Sequence, residues 1–262
     1  MKATFLKKII DGKRGRLESA MAASHTDWRE RALRARAPAV PHAFRNAIED
    51  PKRSGIIAEI KRASPSKGII QANIDVSDIA RTYESGGACA ISVLTEEDFF
   101  QGSLDDLRVA RTAVSLPILQ KDFVVDEFQI YQAAEAGADA ILLIVAALTR
   151  DELKFLHYVA EVVLGLDALV EVHDLAELAT ARELGSGLIG VNNRSLHSFD
   201  VNLDVSRQLI ASKPEWATMV SESGIRDRNE IVELRKLGFS GFLIGESLMS
   251  EKDPARTLKA WM

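Results

Sequence analysis

One local pattern of polar and apolar positions recurs along the chain. In each copy an amphipathic segment ends at a glycine, a few small residues follow, and then comes a short apolar run without polar alternation. Clear copies begin at Ala80, Gln132, Ala181 and Glu233. A glycine reaches positive φ at little steric cost and is therefore typical of a helix end, while such apolar runs are typical of parallel strands covered on both faces. The pattern predicts repeated helix–strand units.

Eight apolar runs fit this pattern and are predicted as strands near residues 56–61, 88–94, 117–121, 139–145, 168–172, 187–191, 217–221 and 241–245. Their starts lie roughly 20 to 30 residues apart, which leaves room for a crossover helix each. Eight units close into a barrel, whereas a doubly wound sheet more often stops at about five or six strands. We therefore predict a single (β/α)8 barrel, the catalytic domain, over residues 51–262. Residues 1–50 are predicted to be a helical extension that packs on it, with Asp27 and Glu30 as a capping pair.

Composition narrows the class of protein. Of the 262 residues, 47% are hydrophobic and 27% are charged, and the net charge is −5 without a long basic block. We therefore expect no nucleic-acid or membrane partner. A single cysteine, Cys89, and the lack of a signal-peptide pattern favour the reducing cytoplasm, and the longest apolar stretch, Ala138 to Leu148, is too short to span a bilayer. The expectation is a soluble cytoplasmic protein, a monomer or a weak homo-oligomer.

Candidate chemistry lies where the predicted strands end, because the reactive groups of parallel barrels lie there. Glu59 and Lys61 are two apart and share a face, as either a structural charge pair or a catalytic pair. Lys121 shares a face with Phe123. Desolvation in an apolar mouth would lower the pKa of this lysine and suit it to donate a proton, the alternative being a lysine that only snorkels.

Two later strands end in further polar pairs. Glu171 and His173 could begin a metal site that Asp122 and Glu222 would complete, but we favour Glu171 as a general acid or base and His173 as a hydrogen-bonded structural residue. Asn192 is suited to bind a hydroxyl or a carbonyl group, and Arg194 is suited to bind a carboxylate.

The last two strands and the first loop indicate an anionic ligand. Strands seven and eight end in SESGI and IGES, where small residues leave backbone N–H groups accessible, as in the phosphate sites of barrels. The loop from Arg62 to Gly68 contains two cationic residues, Arg62 and Lys67, and resembles a flexible flap. A phosphate monoester is therefore the predicted ligand.

Seven segments taken together resemble the indole-3-glycerol-phosphate synthase family of tryptophan biosynthesis. They are AEIKRASPSKG, ISVLTEEDFFQGSLDDL, PILQKDF, ALVEVHD, IGVNNRSL, VSESGI and GFLIGESL, and they run in order from Ile56 to Leu248. The resemblance implies a lyase that closes the ring of 1-(2-carboxyphenylamino)-1-deoxyribulose 5-phosphate, giving indole-3-glycerol phosphate, carbon dioxide and water. It implies no cofactor and no metal.

The resemblance also implies roles for single residues. Lys121 would be the general acid of ring closure, Glu171 and Glu59 the acid/base carboxylates, and Asn192 a partner that positions Glu171 and the substrate. Lys61 would be a second catalytic lysine near the anthranilate carboxylate. The implied substrate-binding residues are Ser64, Phe123, Arg194, Ser223, Gly224, Gly245 and the amide of Glu246. Glu246 departs from the serine often found there, so we expect its side chain to turn outward from the phosphate.

Two rival functions remain open. One is another phosphate-binding barrel such as phosphoribosylanthranilate isomerase, which would need a cysteine–aspartate acid/base pair, whereas Cys89 lies early in a strand. The other is a catalytically inactive barrel scaffold, which would be free to lose its charged strand ends.

Overall fold

Ten strands are present in a computed structural model of the chain, which describes residues 5–23, 27–65, 67–196 and 198–262. They are β1 (Ile56–Ile60), β2 (Ala63–Ser64), β3 (Gly68–Ile69), β4 (Ala90–Leu94), β5 (Ile118–Lys121), β6 (Ala140–Ile144), β7 (Asp167–Val172), β8 (Leu188–Asn192), β9 (Thr218–Glu222) and β10 (Gly241–Ile244). Eight of them pair in parallel, and β1 pairs with both β4 and β10, which closes a barrel. The predicted barrel is confirmed, and each predicted strand agrees with the structure to within two residues at either end. The strands β2 and β3 form a separate antiparallel hairpin inside the predicted flap.

Twelve α-helices surround or precede the barrel in the described residues. They are α1 (Phe5–Ala23), α2 (Trp28–Arg36), α3 (Ala43–Glu49), α4 (Val76–Ser85), α5 (Leu104–Ala113), α6 (Glu127–Ala136), α7 (Arg150–Tyr158), α8 (Leu175–Leu184), α9 (Asp204–Leu209), α10 (Arg228–Leu237), α11 (Glu246–Met249) and α12 (Pro254–Trp261). None of these helices is long and apolar enough to cross a membrane.

Local sequence explains where the barrel helices begin and end. Seven of them start after an Asp, Ser or Thr whose side chain accepts a hydrogen bond from a backbone N–H of the first turn. The glycines after α6, α8 and α10 adopt positive φ, as the repeated pattern predicts. The predicted capping pair before α2 is wrong, because the side chain of Asp27 makes no capping hydrogen bond and Glu30 pairs with Arg34 instead.

The barrel interior is apolar at the amino ends of the strands. Side chains from successive strands form this layer, and α3 closes it from below with Phe44 and Ile48. Asp167, fully buried at the start of β7, holds α3 in place by accepting a hydrogen bond from the backbone N–H of Arg45 at 2.9 Å and contacting His42 Nδ1 at 2.9 Å. A second core cluster fills the space between the strands and the outer helices.

Candidate active site

Polar side chains replace apolar ones two residues further along the same strands. Because side chains on one face of a strand recur every two residues, Leu119 is followed inside the barrel by Lys121, Leu169 by Glu171, and Val220 by Glu222. Lys121, Glu171 and Glu222 line a cavity of about 350 Å³ at the carboxyl ends of the strands. All twelve residues that the sequence singles out for catalysis or substrate binding line it, namely Glu59, Lys61, Ser64, Lys121, Phe123, Glu171, Asn192, Arg194, Ser223, Gly224, Gly245 and Glu246.

Lys121 lies between two buried carboxylates. Its Nζ is 3.0 Å from Glu171 Oε2 and 3.3 Å from Glu222 Oε2. Burial acts to lower the pKa of Lys121, but the charges of Glu171, Glu222 and Glu59 outweigh it and raise that pKa above the ordinary value of lysine. The prediction of a lowered lysine pKa is therefore wrong, because it considered desolvation without the carboxylates that converge from other strands. Lys121 is an ammonium that donates hydrogen bonds across the neutral pH range.

The two carboxylates around Lys121 differ in their affinity for a proton. Burial acts to raise the pKa of Glu171, but Lys121 and His173 overcome this and hold the pKa below its ordinary value. Burial, assisted by the charge of Glu171, raises the pKa of Glu222 to about 7. The two groups around Lys121 are thus one carboxylate that is ionised and one carboxyl group that exchanges a proton near neutrality, a separation typical of acid/base catalysis.

Glu222 also lines the cavity and contacts Lys121, but the sequence analysis considered it only as a candidate metal ligand. It is 1% exposed, and its Oε1 has no hydrogen-bond partner among the described residues. Gly190 makes room for it, because a Cβ at that position would collide with the Glu222 carboxylate. The signal was present in the alternation of β9, where Val220 faces the interior and Glu222 must follow it.

Glu59 and Lys61 form a pair, as the sequence predicts, with Nζ and Oε2 2.7 Å apart. The pair lies beside Gly245, where a Cβ would collide with the Glu59 carboxylate and would come within 3.0 Å of Lys61 Nζ. This places the Lys61 ammonium next to the predicted phosphate-binding backbone.

The predicted phosphate-binding backbone is held in an unusual conformation after β9. Ser223 and Gly224 both have positive φ, at 66° and 87°. The side chain of buried Asn193 fixes this turn, since its Nδ2 donates to Ser221 Oγ and to the carbonyl oxygens of Glu222 and Ser223, each at 3.0 Å.

The side chain of Glu246 does not turn outward as expected. Its carboxylate lies across the mouth of the cavity, 3.5 Å from Arg194 Nη2 and 3.3 Å from Lys67 Nζ. Its negative charge is therefore balanced by two cations instead of being removed from the site. Asn192 organises the same region, because its Oδ1 accepts a hydrogen bond from the backbone N–H of Arg194 at 3.0 Å.

Two segments outside the strand ends complete the mouth. The predicted flap carries the β2–β3 hairpin, whose base is fixed by a double contact of Arg62 with Asp106 at 2.5 and 2.8 Å. The helix α1 contributes Phe5, Leu6 and Ile9 to the cavity wall, a role that the sequence analysis did not foresee. A buried ion pair between Lys13 and Asp122, 2.8 Å long, attaches α1 beside the end of β5.

The metal alternative receives no geometric support. Across the described ranges no group of three or more His, Cys, Asp or Glu side chains is arranged to hold a metal ion. Asp122, one of the proposed ligands, is occupied by Lys13 and Thr95.

Comparisons with known proteins point to one family. Residues 6–261 match the family model described as indole-3-glycerol phosphate synthase. A relative from Carboxydothermus hydrogenoformans with that name is 44% identical over 260 residues, covering 97% of this chain and 98% of its own. One from Sulfurimonas denitrificans with the same name is 48% identical, with 89% of each chain covered.

The solved structures that resemble this chain share its fold but little of its sequence. A thiamine phosphate pyrophosphorylase from Pyrococcus furiosus is 17% identical with a TM-score of 0.58, covering 79% of this chain and 92% of its own. A mandelate oxidase variant is 14% identical with a TM-score of 0.59, covering 79% and 71%.

Proposed function

The chain belongs to the indole-3-glycerol phosphate synthase family, and from this premise we propose how its barrel mouth performs the reaction. The function is the decarboxylating and dehydrating ring closure of 1-(2-carboxyphenylamino)-1-deoxyribulose 5-phosphate to indole-3-glycerol phosphate, a lyase step of tryptophan biosynthesis. The observation that carries the mechanism is the Lys121 ammonium, held between one carboxylate of lowered pKa and one of raised pKa.

Ring closure requires an aromatic carbon to attack a ketone. Lys121 donates a hydrogen bond to the ketone oxygen and transfers a proton as the new carbon–carbon bond leaves negative charge there. The bond to the substrate carboxylate then breaks, releasing carbon dioxide and restoring aromaticity. Lys121 supplies the polarisation of the ketone that a Lewis acid could otherwise supply, and neither step needs an external electron carrier, so we propose no cofactor and no metal.

Dehydration needs an acid and a base at the same time. Glu222 holds a proton near neutral pH and supplies it to the departing hydroxyl group, which leaves as water. Glu171, which is ionised, removes a proton from the ring carbon adjacent to the carbon that loses the hydroxyl group. Positioned groups of this kind typically contribute about 10²–10⁴-fold each. The assignment of Glu222 and Glu171 is supported by their opposite pKa directions and by their common contact with Lys121.

The remaining residues bind and fold the substrate. We assign the phosphate to the backbone of Ser223, Gly224, Gly245 and Glu246. The Glu59–Lys61 pair, which borders this backbone at Gly245, keeps the roles that the resemblance implies, an acid/base carboxylate and a second catalytic lysine near the anthranilate carboxylate. Arg194 and Asn192 serve the carboxylate and hydroxyl groups, Phe123 contacts the aromatic ring, and Ser64 holds the substrate from the flap. Anchoring the phosphate lets remote binding energy bring the ring and the ketone together.

No observation favours either of the two rival functions. The isomerase needs a reactive cysteine, but Cys89 is fully buried in the barrel core, where burial raises the pKa of its thiol to about 12. An inactive scaffold would gain nothing from burying two carboxyl groups against one lysine, since burial of charge opposes folding.

We also propose the cellular setting. The substrate is a phosphorylated small molecule, and the protein is a monomer or a weak homo-oligomer. The net charge of −5 argues against nucleic-acid and membrane partners, and the single cysteine favours the reducing cytoplasm.

Mixing the purified chain with the carboxyphenylamino-deoxyribulose phosphate tests the function. Indole fluorescence should rise with time, and carbon dioxide should be released in equal amount. Folded protein that produces neither signal would refute the proposed reaction.

A further inference from the structure

His173 lies directly behind Glu171, outside the cavity that Lys121, Glu171 and Glu222 line. Glu171 lines that cavity, whereas His173 lines a second one, of about 600 Å³, beside it. His173 therefore touches Glu171 without facing the substrate space.

Both ring nitrogens of His173 face carboxylates. Nδ1 lies 3.0 Å from Glu177 Oε2, and Nε2 lies 3.4 Å from Glu171 Oε1, close enough for an ion pair although the ring is not aligned for a hydrogen bond there. A neutral imidazole carries a proton on one nitrogen only and would present a lone pair to one of the two carboxylates. An imidazolium presents N–H to both, so this arrangement selects the charged form.

Glu177 is itself fixed, so the ring cannot easily turn away. The Glu177 carboxylate also accepts the backbone N–H of His173 at 2.8 Å, and the backbone N–H of Glu177 donates to the α8 cap Asp174 at 2.9 Å. The other charged groups that line the second cavity are Asp174, Arg194 and Asp200.

We propose that His173, held by Glu177, is a positioning residue that keeps Glu171 ionised and aimed at Lys121. Lys121 contacts one oxygen of the Glu171 carboxylate, and His173 contacts the other. The burial of His173 acts to lower its pKa, but Glu171 and Glu177 outweigh it and raise that pKa to about 10, so the ring keeps its charge where the enzyme works. This inference rests on the proposed function, in which Glu171 must be ionised to act as a base.

The test compares His173→Gln with the wild type and with His157→Gln. His157 is a matched control, because it is similarly buried and also has a glutamate four residues later, Glu161 at 3.7 Å, but lines neither cavity. We expect His173→Gln to lower kcat by about tenfold or more with KM within about twofold, because the base and not the binding surface is affected. The acidic limb of kcat/KM should move to higher pH by about one pH unit, because Glu171 loses a stabilising positive charge. His157→Gln should do neither.

A second variant, Glu177→Gln, should change the alkaline side of the pH profile and not the acidic side. It provides the test if His173→Gln does not fold. Without Glu177 the pKa of His173 should fall, so that kcat is near normal at acidic pH and its decline towards alkaline pH begins at a lower pH than in the wild type. A loss of kcat with an unchanged pH profile, or an effect equal to that of His157→Gln, would overturn the proposal.

Titration of the His173 ring by NMR separates this inference from the proposed function. The ring should remain protonated above pH 8 in the wild type and should deprotonate at lower pH in Glu177→Gln. If the wild type closes no indole ring but the titration behaves in this way, the reaction is refuted and the charge of His173 is upheld. Deprotonation of the wild-type ring near pH 6.5, the ordinary value for histidine, would overturn the inference.

Discussion

Replacing Glu222 by Gln separates the chemical use of this carboxyl group from its effect on folding. Glutamine keeps the size of the side chain but can neither hold nor release a proton. If Glu222 supplies the proton for dehydration, kcat should fall by at least about 10²-fold. KM should change little, because the proposed phosphate and ring contacts are made by other residues.

The same substitution should stabilise the fold at alkaline pH. The pKa of Glu222 is raised in the folded protein, from an ordinary 4.5 to about 7. The folded state thus binds this proton more tightly than the unfolded state, and the free energy of unfolding falls as pH rises between these two values. At about 1.4 kcal/mol for each tenfold change in proton affinity, the loss reaches about 3 kcal/mol above pH 7. Glutamine cannot ionise and avoids this loss, so Tm above pH 7 should rise by roughly 5–10 °C for a chain of this size.

Urea unfolding at several pH values measures this effect, and indole fluorescence measures the activity. The stability advantage of Glu222→Gln over the wild type should be small at pH 5 and should grow up to about pH 7. Glu215→Gln is the control, because Glu215 is exposed and its replacement should show no such slope. A gain that is equal at pH 5 and pH 8, or near-normal kcat, would refute the reasoning.

Three further substitutions probe the rest of the structure. Lys121→Met should lower kcat by at least about 10²-fold while leaving the binding of inorganic phosphate nearly unchanged; near-normal kcat would remove Lys121 from its role. Gly245→Ala should weaken substrate binding, because its Cβ would displace Glu59 and Lys61, whereas Gly12→Ala, with nothing within 4 Å of the added Cβ, should leave KM unaltered; equal KM values in the two variants would contradict this. Asp167→Ala should cost about 2–4 kcal/mol in urea unfolding, because it removes the contacts that hold α3; an unchanged midpoint would show that α3 is held by apolar contacts alone.

The barrel could be predicted because its information is local and repeated. A glycine after an amphipathic segment marks a helix end, and an apolar run marks a buried strand, so the count of strands follows from the chain itself. The location of the site could be predicted for the same reason. Side chains that recur every two residues place Lys121 above Leu119 and Glu171 above Leu169 without knowledge of any contact.

The parts that could not be predicted depend on contacts between distant segments. Nothing near Phe5 or Lys13 in the sequence indicates that α1 walls the cavity and pairs with Asp122. The direction of the Glu246 carboxylate likewise depends on Arg194 and Lys67, which lie on other loops. The division of the chain into an extension of residues 1–50 and a barrel of residues 51–262 stays a prediction, although α3 shares the interior core of the barrel.

Lys121 shows most clearly why local reasoning fails for protonation. Desolvation depends on burial, which the apolar run around Lys121 indicates, and it acts on the pKa in the predicted direction. The opposing contribution comes from Glu59, Glu171 and Glu222, which lie on β1, β7 and β9 and meet Lys121 only when the barrel closes. The same closure divides the protons among the carboxyl groups, since one lysine cannot fully stabilise two carboxylates at 3.0 and 3.3 Å when both are buried. Acid and base are therefore properties of the closed ring of strands, and the carboxylate that contacts His173 is the one that we expect to act as the base.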